Sequence, residues 1–151
     1  MHSLTTLQRA RQQGFTLIEI MVVVVILGIL AAVVVPRVMD RPDQARLSKA
    51  QNDIRAIEAA LNLYRLDNFD YPATEQGLRA LVTRPTGQDA PRNWRAGGYL
   101  ERLQKDPWGN DYQYLRPGRE DREFDLFSMG ADGRPGGTGN NADIGNWELQ
   151  D

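Results

Sequence analysis

Two stretches of this chain hold the residues whose types and spacing could do chemistry. The first is Gly-Phe-Thr-Leu-Ile-Glu, residues 14–19, where a single carboxylate, Glu19, enters an apolar run that continues to residue 35 with no other charge. A carboxylate in such a run costs about 2.5–3.5 kcal/mol on membrane-insertion scales, and residues of this kind ordinarily have a partner and a function. No Lys, Arg or His lies elsewhere in the run, so a cation for Glu19 must come from outside it; close to the end of the run the carboxylate could also simply reach water. The second stretch, residues 129–147, reads MGADGRPGGTGNNADIGNW and holds six glycines, three asparagines and two aspartates. Oxygen ligands on a permissive backbone suit calcium, which takes roughly six to eight of them in flexible geometry. The spacing is not that of an EF-hand, because Asp132 is followed by Gly133, Arg134 and Pro135. On the residues alone, a flexible turn accounts for the loop somewhat better than a metal site does.

Catalysis finds little support. His2 is the only histidine and there is no cysteine, so Ser48 and Ser128 have no histidine to activate them. Asp67 and Asp70 sit near an expected helix end, where solvated carboxylates are ordinary. A membrane-tethered hydrolase therefore fails for want of a constellation of converging titratable groups. The formal charge is −2 and no basic patch interleaved with aromatics occurs, which leaves nucleic-acid binding without electrostatic support.

The elements that must position these residues follow from periodicity and punctuation. Residues 15–35 would span roughly 31 Å as a helix, about the thickness of a hydrocarbon core. Arg9 and Arg11 precede the run with no acid in residues 1–14, which places the N-terminus in the cytoplasm and the remainder outside. A plain signal anchor is the competing reading, and Ala31-Ala32 resembles a small-residue cleavage site, but the apolar run is too long for a secretory signal. Pro36 removes the helix hydrogen bond to Ala32, so a kink or stop is expected there, with Gly28 a second weak point. Beyond it, Leu47, Ala50, Ile54, Ile57, Leu61 and Tyr64 recur every three or four residues and make one apolar stripe. Pro72 is expected to break that helix, and Thr74 to cap a short second one reaching Val82. Residues 112–116 and 123–128 read as two strands joined by a turn with Pro117-Gly118. Asp106 to Asn110 form a turn anchored by Trp108. About 115 residues follow the apolar run and suffice for one small domain. An exported domain of this size without cysteines needs another clamp on its loops, and a metal is one candidate; a reducing cytoplasm is the alternative.

The segment GFTLIEIMVVVVILGILAAVVVP resembles the N-terminal signal of type IV pilins and pseudopilins. The segments YLERLQKDPWGNDYQYLRPG and GADGRPGGTGNNADIGNW are similar to those of the major pseudopilins of type II secretion systems, and the likeness covers residues 14–147. Classical type IV pilins usually close this region with a disulfide, which the absence of cysteine argues against. The resemblance implies an α+β, pilin-like fold: a long N-terminal helix, membrane-spanning in its first half, packed on a small antiparallel sheet with a variable loop and a calcium-binding C-terminal loop. It implies a leader at 1–14, a transmembrane and assembly helix at 15–36, an amphipathic helical half at 37–66 and a periplasmic head at 67–151. A prepilin peptidase would cut between Gly14 and Phe15 and methylate the new amine of Phe15. Glu19 would pair with that amine on a neighbouring subunit, and the interval from Gly28 to Pro36 could unwind on assembly. One calcium ion would be held by Asp132, Asn140, Asn141 and Asp143 with the Met129 carbonyl, although the family often has acids where this chain has Asn140-Asn141. The implied function is that of a structural subunit, not an enzyme. It would sit in the bacterial inner membrane and polymerise into a periplasmic pseudopilus that drives export of folded proteins. Its partners would be further copies, minor pseudopilins, the inner-membrane assembly platform and the peptidase. A type IV pilin or a minor pseudopilin is the alternative.

Overall fold

The computed structural model describes residues 14–149, the side chains of 33–41 excepted; residues 1–13 of the expected leader and the side chain of Pro36 lie outside the described residues. The chain divides into two units, Met1–Asp40 and Arg41–Asp151. Helix α1, Leu17–Asn68, begins in the first and ends in the second.

In the first unit, Thr16 starts the helix. Its hydroxyl accepts the Glu19 N–H at 3.3 Å and its carbonyl accepts the N–H groups of Glu19 and Ile20. Thr at the cap with Glu three residues on is the spacing of a capping box, and the carboxylate is favourable at the positive end of the helix. The helix continues without a break past Gly28 and Pro36. A proline inside a helix costs about 3 kcal/mol, a loss confined to one position of a 52-residue element.

The expected membrane span is corrected by the structure. Among the described residues no helix is long and apolar enough to cross a membrane. The membrane-spanning first half expected of the long helix, and the single-pass inner-membrane location that depends on it, are corrected by this finding.

The second unit is built on the apolar stripe of α1. Ala50, Ile54, Ile57, Leu61 and Tyr64 are all buried, as the periodicity predicts, and Leu47 packs against them partly exposed. The helix ends earlier than Pro72. Phe69 takes a left-handed conformation, φ 66°, and donates its N–H to Arg65 O at 2.7 Å; a left-handed residue cannot continue a right-handed helix. Thr74 caps no helix. Its hydroxyl donates to Arg116 O at 2.8 Å and accepts from Arg116 N at 2.7 Å, tying the loop to the end of a strand. A short 3-10 helix, Leu78–Leu81, follows from Gly77 and buries Leu78, Ala80 and Leu81.

The sheet has three antiparallel strands in sequence order, β1 Gln113–Leu115, β2 Asp125–Ser128 and β3 Ile144–Gly145. The first two fall inside the predicted segments. The third was not foreseen, because two residues are too few to show alternation. Beyond it Asn146 takes over the pairing with its side chain, accepting from Leu126 N at 3.1 Å and donating to Phe124 O at 3.3 Å. β2 is buried throughout, including Asp125 at 0% exposure. That carboxylate accepts from Arg119 Nε at 2.7 Å, Arg122 Nε at 2.8 Å and Arg119 N at 3.1 Å. Burial by itself would raise its pKa, but the bonds from Arg122 and Arg119 together outweigh burial and hold it below the ordinary carboxylate value. The two guanidinium groups in turn lie over the Trp147 ring at 5.0 and 5.2 Å, so the β1–β2 turn is fastened to the C-terminal segment as well as to the sheet.

Candidate functional site

The glycine-rich loop is what joins β2 to β3, and its two ends are therefore set by the sheet. Its limbs meet where Ala131 N donates to Asn140 O at 2.8 Å. Gly130 makes that approach possible: at φ 65° an added Cβ would stand 2.8 Å from the carbonyl oxygens of both Asn140 and Ala142. At Gly137 the clash would be worse, 2.3 Å from Asn141 O.

Met129, Asp132, Asn140, Asn141 and Asp143 all lie in this loop, and they use their oxygens differently. Asp143 accepts the Gly136 N–H on Oδ2 at 3.0 Å, while its Oδ1 is buried with no hydrogen-bond partner among the described residues. Asp132 accepts the Arg134 N–H at 3.1 Å. Asn140 turns its amide nitrogen to Asp43 Oδ2 on α1, 2.7 Å away. An acid at position 140 would oppose the Asp43 carboxylate, which gives a physical reason for a neutral amide there. Among the described residues no group of three or more His, Cys, Asp or Glu could hold a metal ion; a site in this loop would combine two carboxylates with amide and backbone oxygens.

The loop is braced by a neighbouring turn that sequence reasoning read only as an aromatic anchor. Asp106, 4% exposed, accepts the N–H groups of Trp108 and Asn110 on Oδ1 at 3.0 and 2.8 Å. Its Oδ2 accepts the Ser128 hydroxyl at 2.6 Å, Ser128 Oγ accepts Gly130 N–H at 3.1 Å, and Asn110 Nδ2 donates to Gly130 O at 2.9 Å. The available signal was Asp in Asp-Pro-Trp-Gly-Asn, an Asx-type turn residue that bonds the backbone two residues on. Thr16, the helix cap, was also missed, although its spacing to Glu19 is that of a capping box.

At the other candidate site, Phe15 is 78% exposed and Glu19 is exposed, on a helix whose apolar side chains from Leu17 to Leu30 are also exposed. Among the described residues nothing lies within 4 Å of an added Cβ at Gly14 or Gly28. The carboxylates weighed for catalysis are engaged elsewhere: Asp67 pairs with Arg95 at 3.3 Å and Asp70 with Arg116. A cleft of about 680 Å3 in the second unit includes Tyr64, Asn68, Phe69, Asp70, Tyr71 and Arg116 in its walls.

An exposed apolar helix leading into a helix-on-sheet head with an oxygen-lined loop defines a pilin-like structural subunit. Comparison with known proteins makes this specific. The model of "Type II secretion system (T2SS), protein G" matches residues 37–147, and that of the "Prokaryotic N-terminal methylation motif" matches residues 9–35. The type II secretion system core protein G of Pseudomonas aeruginosa is 65% identical over 142 residues, 94% of this chain and 99% of that one. The Vibrio cholerae protein of the same description is 60% identical over 141 residues, 93% and 95% of the two chains. The crystal structure of the major pseudopilin from the type 2 secretion system of enterohaemorrhagic Escherichia coli superposes with a TM-score of 0.67 at 51% identity, covering 75% of this chain and 92% of the other. The chain belongs to the type II secretion system protein G family.

Proposed function

We propose that the chain is the major structural subunit of a type II secretion pseudopilus, a non-enzymatic protein that works by polymerising. The observation that carries this reading is the near end-to-end match to core protein G of Pseudomonas aeruginosa, 65% identical across 99% of that relative. An exposed apolar helix supports it, because apolar surface left in water is stabilised by burial against further copies. Its partners are components of the secretion machinery, and within them we assign copies of itself, minor pseudopilins, an assembly platform and a prepilin peptidase. The peptidase would act between Gly14 and Phe15 and methylate the Phe15 amine. Glu19 then pairs with the Phe15 amine of a neighbouring copy, supplying the cation that the apolar run itself lacks. Gly28 and Pro36 mark where α1 would open on assembly. Expressed with the remaining secretion components in a strain lacking its own protein G, the chain is expected to restore export and to give filaments that bind an antibody to the head. Export without such filaments would overturn the reading.

The same reading includes one calcium ion in the glycine-rich loop. The donor set fits a hard cation, and the buried, unpartnered Oδ1 of Asp143 is an acceptor that a cation would satisfy. Asp132, Asp143, Asn140 and Asn141 with the Met129 carbonyl would hold it, and the ion would clamp a loop that no disulfide closes. Calcium at 100 times its Kd should stabilise the chain by about 2.7 kcal/mol, raising the melting temperature by several degrees relative to chelator. An unchanged melting curve at millimolar calcium would refute the assignment.

A further inference from the structure

Met129 and Gly130 share one peptide unit, and that unit is held from outside the loop. The Gly130 N–H donates to Ser128 Oγ at 3.1 Å, and the buried Ser128 hydroxyl lies 2.6 Å from Asp106 Oδ2. The relay runs one way: the Ser128 hydroxyl gives its single hydrogen to Asp106 and accepts the N–H of Gly130. Asp106 is fixed in turn by the N–H groups of Trp108 and Asn110. On the far side of the Gly130 Cα, Asn110 Nδ2 holds the Gly130 carbonyl at 2.9 Å. Because a planar trans peptide sets C=O opposite N–H, pinning the Gly130 N–H fixes the direction of the Met129 carbonyl. Gly130 sits at φ 65°, where an added Cβ would stand 2.8 Å from the carbonyl oxygens of Asn140 and Ala142, so the peptide is approached closely by the opposite limb of the loop.

We propose that Asp106, acting through Ser128, is a positioning residue that aims the Met129 carbonyl as a ligand, so that the calcium affinity of the loop is set in part by a buried turn outside it. The proposal rests on the calcium reading of the loop. Neither Asp106 nor Ser128 is among the residues that would hold the ion. Their contribution is to keep a backbone oxygen from having to be reoriented on binding, which is how groups behind the ligands tune a metal site.

The test compares the full chain with its Ser128→Ala and Asp106→Asn variants, titrating calcium by calorimetry and following hydrogen exchange of the Gly130 amide in chelator. In Asp106→Asn the amide presents a donor either to Ser128, whose own hydrogen then loses its acceptor, or to the two turn N–H groups, so the relay is not restored as it stands. Both variants are expected to raise the calcium Kd by about 10-fold or more and to accelerate exchange at Gly130 by a similar factor. Ile54→Ala, a core variant remote from the loop in sequence, should lower the melting temperature yet leave Kd unchanged, so loss of stability alone does not imitate the effect. A Kd within twofold of wild type in Ser128→Ala overturns the proposal, as does unchanged exchange at Gly130. A wild-type chain that gives no calcium heat would instead refute the metal reading and the aiming role with it, and that result is distinguishable because it does not depend on the variants.

Discussion

Glu19→Gln is expected to leave the head folded and the Thr16 cap in place, yet to cut filament assembly by about 100-fold. The argument is one of unpaired charge. On the proposed assembly the Phe15 amine of each subunit would be removed from water, and deleting one member of a buried pair costs about 3–5 kcal/mol because the other is left uncompensated. Each 1.4 kcal/mol is about tenfold in an equilibrium constant. The local role of Glu19 is smaller: a carboxylate in the first turn of a helix contributes only about 0.3–1 kcal/mol. Glu19→Ala should therefore assemble as poorly as Glu19→Gln, and the difference between them should be slight. Electron microscopy and cross-linking of filaments read the result directly. Normal filaments from the glutamine variant would refute the pairing, and a defect confined to the alanine variant would assign Glu19 to helix capping instead.

The second large effect is expected at Asp125. Its carboxylate is fully buried and binds two guanidinium groups, so Asp125→Ala should destabilise the head by about 3 kcal/mol, near the low end for breaking a buried pair. The low end applies because Arg119 and Arg122, 55% and 21% exposed, can turn towards water. The pH dependence follows from the direction of the shift. The folded pKa lies below the unfolded value of about 4, so the stabilisation is present above that value and is lost as pH falls through the folded pKa. Urea unfolding at pH 7 and pH 3 should show a marked loss of stability in the wild-type chain and a smaller one in Asp125→Asn. Equal losses in both would remove Asp125 from the account of acid unfolding.

How much of this was legible beforehand depended on how local each cause was. The apolar stripe from Leu47 to Tyr64 was readable because a helix repeats its contacts every three or four residues, and each of those positions is buried or half-buried as the spacing requires. β1 and β2 were readable from short apolar segments around a Pro-Gly turn. The termination of α1 was misplaced by a few residues, since Pro72 is a visible punctuator whereas Phe69 in a left-handed conformation is not one that composition suggests. Thr74 looked like a cap and became a tie to Arg116, because a hydroxyl takes whichever backbone groups the fold brings to it. The membrane span followed from counting apolar residues, and among the described residues no helix meets the length and apolarity it needs.

The sequence by itself determined the pilin-type signal around Glu19, the stripe on which the head is built, and the confinement of all five loop candidates to one glycine-rich segment; these are matters of order along the chain. Only the tertiary structure decided which oxygens are engaged. That Asp143 keeps a buried oxygen unpartnered, that Asn140 faces Asp43 across 97 positions, and that Asp106 reaches Gly130 through Ser128 all depend on distances between segments remote in sequence. Hydrogen bonds act over about 3 Å, and no spacing rule along the chain specifies which remote groups will come that close.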